Sequence, residues 1–131
     1  MKKKIIIGII MILAIGIAFG VKYAIDFSYY EKTMPTVSVQ DIDFKVIKDG
    51  VYEGSFDARI ISATAQVTVS EGKVTKIELL KHKYEKGGAA VAIIDEVIKK
   101  QSLKVDVVSG ATESSKTILK SIENALNGNA E

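Results

Sequence analysis

The chain opens with "MKKKIIIGIIMILAIGIAFGVK": three lysines, then seventeen uncharged residues from Ile5 to Val21, then Lys22. No other segment constrains the fold so strongly, because an apolar run of this length must be covered by lipid or by protein. At about 1.5 Å per residue, such a helix spans roughly 25 Å, slightly less than a hydrocarbon core. Lys4 and Lys22 can snorkel across the difference. Tyr23, Phe27, Tyr29 and Tyr30 follow, side chains suited to a membrane–water interface. The leading lysines keep the N-terminus in the cytoplasm and send the rest outward. Residues 1–22 therefore read as a single-pass anchor in membrane lipid, with the remainder outside the cytoplasm. A cleaved signal sequence is the alternative, although "AIGIAFGVKYA" offers only weak cleavage sites.

The remainder is small and nearly neutral. Setting aside the three leading lysines leaves 15 basic against 16 acidic side chains, a balance of −1. With no basic stripe to hold a phosphate backbone, nucleic acid is not an expected partner. The chain has no cysteine, so disulfides, thiolate metal sites and N-terminal lipoprotein anchoring are excluded. A core this small must be stabilised by packing, and a bound ligand would add to it.

Residues 23–48 read as a tether. They hold the only proline, Pro35, and show no sustained period, but their aromatic and β-branched content predicts that part of the segment lies against the membrane or the domain. From Asp49 the pattern sharpens into a domain over 49–128. A short strand is predicted around Val51–Phe56. In "SATAQVTVS", Ala63, Ala65, Val67 and Val69 alternate with Thr64, Gln66, Thr68 and Ser70, the period of a half-buried strand. Glu71-Gly72 supplies a tight turn and "KVTKIELLKH" returns, which makes an antiparallel hairpin.

After a break at Gly87 and Gly88, residues Ala90, Ile93, Ile94, Val97 and Ile98 recur at helical spacing. "LKVDVV" reads as a short strand. A last helix carries Ile118, Leu119, Ile122, Ala125 and Leu126 on one stripe and stops near Gly128. This order predicts an α+β domain, with two helices packed on one face of a small antiparallel sheet.

Chemistry concentrates in "DVVSGATESS", residues 106–115, where the last helix begins. One reading is plain: Ser109 or Thr112 caps the helix, Glu113 suits its dipole and Gly110 turns the chain. The other makes the same features a phosphate site, since a helix start offers unpaired N–H groups and partial positive charge, and Gly110 and Ala111 leave the backbone accessible. Asp106 would repel a phosphate. It suits fixing the loop through backbone N–H groups, or holding a divalent cation.

These residues resemble the flavinylation motif of the FMN-binding domain family, roughly Asp-x-x-Ser/Thr-Gly-Ala-Thr. That domain is found in the C subunit of the sodium-pumping NADH:quinone oxidoreductase and in the G subunit of the Rnf complex. The match holds at Asp106, Ser109, Gly110, Ala111 and Thr112, with Val107 where glycine is common. "DGVYEGS", the hairpin, "HKYEKGGAAVAIIDEVIKKQS" and "ILKSIENAL" follow the family's order over about 49–127, although "SFDARIISA" is less glycine-rich. The resemblance implies that a flavin transferase moves FMN from FAD onto Thr112 as a phosphoester. Ser109, Gly110 and Ala111 would shape the phosphate pocket, with Asp106 as the acidic residue. Without cysteine, that route to a ring linkage is closed, whereas a threonine at a helix start provides the hydroxyl a phosphate linkage needs.

Other residues carry two readings each. His82, the only histidine, is either an ordinary exposed residue or a neighbour of the flavin ring. Gly87 and Gly88 either start a helix or let a flat ring approach the backbone. Ser114 and Ser115 either reach phosphate oxygens or simply begin the helix. Tyr52 and Tyr84 suit packing or a strand-end surface rather than stacking on a ring, and Lys99, Lys100, Lys104 and Lys116 either form a solvated face or attract an acidic redox partner. No G-x-S-x-G elbow or P-loop is present. The expected function is an anchored flavoprotein, an electron carrier between a membrane redox partner and an outside acceptor rather than a stand-alone enzyme. The alternatives are a cofactor-free scaffold and a reductase holding FMN non-covalently.

Overall fold

A computed structural model of the chain describes residues 1–83 and 92–127. The expectations for Tyr84, Gly87, Gly88, Ala90 and the stop at Gly128 fall outside the described residues. Helix α1 runs over Lys2–Thr33, strands β1, β2 and β3 over Gly50–Asp57, Ser62–Ser70 and Lys73–Lys83, and helices α2 and α3 over Ile93–Lys100 and Thr112–Asn127. The architecture is α+β, as the patterning predicts.

α1 is long and apolar enough to cross a membrane. It does not end with the apolar run: it continues to Thr33, through residues that show no apolar period. The helix is held there by neighbours on its own surface. Lys22 pairs with Asp26 at 2.8 Å, and the rings of Tyr23, Phe27 and Tyr30 follow one another at centroid distances of 6.1 and 6.2 Å. Beyond Thr33 the chain enters the domain. Phe44 and Ile47 are buried in the domain's core, so part of the tether does lie against the domain.

The sheet has the order β1-β2-β3 with both pairs antiparallel. Glu71 and Gly72 both take positive φ, at 53° and 75°, and join Ser70 to its partner Lys73 as a two-residue hairpin turn. Such a turn matches the strand twist. Ala63, Ala65, Val67 and Val69 face the core as their alternation requires, paired with His82, Leu79, Ile77 and Val74.

α3 covers β1 and β2 with Ile118, Leu119, Ile122, Ala125 and Leu126 buried. Its approach to β1 depends on Gly54, where a Cβ atom would overlap Ala125 N and lie 2.6 Å from Ser121 O. The hydroxyls of that helix face are satisfied locally. Ser121 Oγ donates to Ile118 O at 2.6 Å and Thr117 Oγ1 to Glu113 O at 2.8 Å.

α2 buries Ile93, Ile94 and Val97 and ends at Gln101, which takes a left-handed φ of 51°. The Gln101 side chain acts as an extra peptide group against β3. Its Oε1 accepts from Val74 N and its Nε2 donates to Val74 O, both at 2.8 Å. Leu103–Val107 has no regular secondary structure and joins no sheet among the described residues, which corrects the expected short strand. Its bonds run elsewhere: Leu103 N donates to Asp41 and Val105 N to Leu103 O.

Candidate functional site

The motif occupies the approach to α3. Val105–Gly110 forms an irregular arm, Gly110 turns the chain with φ 78°, and Ala111 N closes the turn on Val108 O at 2.9 Å. The helix then begins at Thr112. The residue ahead of it is Ala111, which has no oxygen to cap with. Neither Ser109 nor Thr112 makes a side-chain hydrogen bond among the described residues, so the capping reading of both hydroxyls does not hold.

The structure thus brings together Asp106, Ser109, Gly110, Ala111, Thr112 and Ser115, but gives them different surroundings. Asp106, Ser109 and Gly110 are exposed, Thr112 is half-buried and Ala111 is buried. A Cβ on Gly110 would find no atom within 4 Å, so the space over the turn is open. Ahead of Thr112, the first N–H groups of α3 point out of the helix end with their partial positive charge, and Glu113 lies in that first turn.

Ser115 has another part. It is fully buried, and its Oγ accepts the N–H of Val108 at 3.1 Å, which closes the arm over the helix. Ser114 is buried as well. Neither hydroxyl faces solvent at the helix end. Nor does Asp106 fix the loop, since it makes no hydrogen bond among the described residues. Ser115 and the Val108 carbonyl do that work.

His82 belongs to another element, the end of β3, next to the segment outside the described residues. It is half-buried rather than exposed, and burial pushes its imidazole below the ordinary histidine range. The cause is an irregularity in register. β2 pairs Thr64 with Lys81 but Ala65 with Leu79, so Leu80 is an extra residue and the alternation flips after it. Lys81 turns outward and His82 falls opposite the buried Ala63. Among the described residues, no group of three or more His, Asp or Glu could hold a metal ion.

Sequence patterning does not reveal a second set of residues, in the tether. The Asp41 carboxylate accepts from Leu103 N at 2.9 Å, Ser102 Oγ at 3.0 Å and Ile42 N at 3.0 Å. Glu123, buried on α3, accepts from Gln40 N at 3.2 Å, and Lys120 Nζ donates to Ser38 O at 3.2 Å and to Glu123. A cleft of about 350 Å³ separates Val37–Val39 from the arm, with Val105, Val107, Lys116 and Leu119 on its other walls. The only local hint is the Asp41-x-Asp43 pair, whose carboxylates bond backbone N–H groups one and two residues on.

A half-buried threonine hydroxyl at the first turn of a helix, beside a glycine turn with no side chain above it, is an arrangement that can receive a phosphate group. The family model for the FMN-binding domain matches residues 62–127, about half of the chain and all of α3. A protein of Treponema pallidum (strain Nichols), described as uncharacterized, is 32% identical over 83 residues, which is 61% of this chain and 23% of that protein. The chain therefore spans about a quarter of that relative's length. No solved structure matches.

Proposed function

The chain belongs to the FMN-binding domain family, and from that premise we propose that it carries FMN as a phosphoester on Thr112 and serves as an electron carrier held at a membrane. The observation that carries this reading is the placement of the Thr112 hydroxyl, uncapped at the open first turn of a 16-residue helix. Among the described residues no base is hydrogen-bonded to it. Those residues give that hydroxyl no proton acceptor, which fits attachment by an external flavin transferase. In that step Thr112 Oγ bonds to the phosphorus on the FMN side of FAD's pyrophosphate. The P–O–P bond breaks, AMP leaves, and the hydroxyl proton passes to the transferase.

When bound, FMN supplies the one- and two-electron chemistry, and the protein supplies position and electrostatics. The residues that would hold the phosphate are Thr112, the amides of the first α3 turn and the Ser109–Ala111 turn, with Ser115 bracing the arm from beneath. The three leading lysines favour an N-terminus in the cytoplasm and a domain outside it, where a covalent link keeps the cofactor from diffusing away. A membrane reductase and an outside acceptor are the redox partners this reading requires.

The test is expression of the full chain beside a flavin transferase, followed by a denaturing gel viewed under ultraviolet light. A fluorescent band that vanishes in Thr112→Ala, with intact mass raised by one FMN ester, is the expected result. Colour lost on denaturation would point to non-covalent FMN. A colourless chain with the bare polypeptide mass would leave a cofactor-free anchored domain.

A further inference from the structure

The arm that carries the motif touches the rest of the protein through few hydrogen bonds, and they sit at its two ends. At its far end Val108 N is held by Ser115 Oγ. At its start Leu103 N is held by Asp41 Oδ1, while Asp41 Oδ2 takes the Ser102 hydroxyl, whose oxygen in turn accepts from Lys104 N at 3.0 Å. One carboxylate therefore orders three consecutive residues, 102 to 104, immediately ahead of the arm. Asp41 is itself held in place from α3, because Gln40 N donates to Glu123 and Ser38 O accepts from Lys120. Tether, arm and α3 close a triangle whose open corner is Thr112. All the tether members lie outside residues 62–127, the part matched by the family model.

We propose that Asp41 is a positioning residue for flavin attachment: it fixes the start of the arm and so the approach to the Thr112 hydroxyl. This rests on the reading of Thr112 given above. Asp41 stands at the surface, so removing its carboxylate leaves no buried charge behind and does not open the core. What it removes is order at residues 102–104, upstream of the reacting hydroxyl. Asn at this position keeps an oxygen for Leu103 N and offers an N–H to the Ser102 hydroxyl, whereas Ala keeps neither.

The experiment uses the full chain in detergent micelles, in wild-type, Asp41→Ala and Asp41→Asn forms, with purified flavin transferase and FAD. Attachment is followed by intact mass. Asp41→Ala is expected to lower kcat/KM about tenfold through kcat, and Asp41→Asn to stay within about threefold of wild type, the scale of one or two lost hydrogen bonds. Amide hydrogen exchange of the unflavinylated chain gives a second readout: residues 103–111 exchange faster in Asp41→Ala while β2 is unchanged. The proposal is overturned if Asp41→Ala attaches FMN at the wild-type rate, if Asn fails to rescue, or if β2 loses protection together with the arm. A wild-type chain that takes no FMN would instead defeat the attachment reading, and the exchange comparison would still decide whether Asp41 orders the arm.

Discussion

Gly54 lies under the C-terminal half of α3 and Gly110 just ahead of its first turn, and a methyl group added at each would meet very different surroundings. At Gly54 it would strike the helix backbone, with Ala125 Cα at 2.5 Å and Ser121 O at 2.6 Å. At Gly110 it would meet nothing within 4 Å, and only the φ of 78° would resist it. One glycine is required by packing, the other by the path of the chain. The same helix is thus clamped where Ile122, Ala125 and Leu126 build the core, and left open where Thr112 begins it. The packed end seats the helix whose other end carries the half-buried Thr112 hydroxyl.

This contrast can be broken by substitution. Gly54→Ala should have the largest effect, about 3 kcal/mol at the upper end of the overpacking range, read as a lowered urea midpoint. A loss below about 1 kcal/mol would mean that α3 can lift off β1 cheaply. Ser115→Ala comes next, at about 1–2 kcal/mol, because Val108 N–H loses its acceptor in a partly buried place. Unchanged exchange of the Val108 amide in that variant would show that the arm is held by something else.

Gly110→Ala should cost about 1 kcal/mol, the penalty of a left-handed residue with a side chain, since no clash is added. A cost as large as that of Gly54→Ala would mean the space over the turn is not open. Thr112→Ala sharpens the comparison most while changing stability least, within about 0.5 kcal/mol, because its hydroxyl bonds to nothing among the described residues. Normal thermal unfolding together with complete loss of covalent flavin is the expected pair of results.

The half of the molecule built on regular patterns is legible in the sequence. Alternation over 62–70, the Glu71-Gly72 turn and the stripe from Ile118 to Leu126 all give the elements found, because each depends on residues close in the chain. The motif is equally legible as a run of residues, and α3 does begin at its threonine. The division of labour inside the motif is not. Ser115 and Thr112 look alike in sequence, yet one is sealed beneath the arm and the other is half-buried with no hydrogen bond among the described residues, a difference set by how α3 sits on the sheet. The half-burial of His82 is hidden for a similar reason, since a single extra residue at Leu80 reverses which face it takes. Leu103–Val107 has the composition of a strand but finds Asp41 instead of a strand partner, and an acceptor some sixty residues away leaves no local trace. α1 outlasts its apolar run through ring and charge pairs that an apolar period does not register.

The unbroken course of α1 to Thr33 has a mechanical meaning once the apolar run is seated in a bilayer. Arg59, in a left-handed turn between β1 and β2, reaches Asp26 at 3.3 Å and lies 4.6 Å from the ring centre of Tyr29, fastening the domain to the emerging helix. A globule mounted in this way is a mast-head rather than a float on a leash. With the apolar run in a bilayer, these two contacts would limit how far the globule swings about its stem.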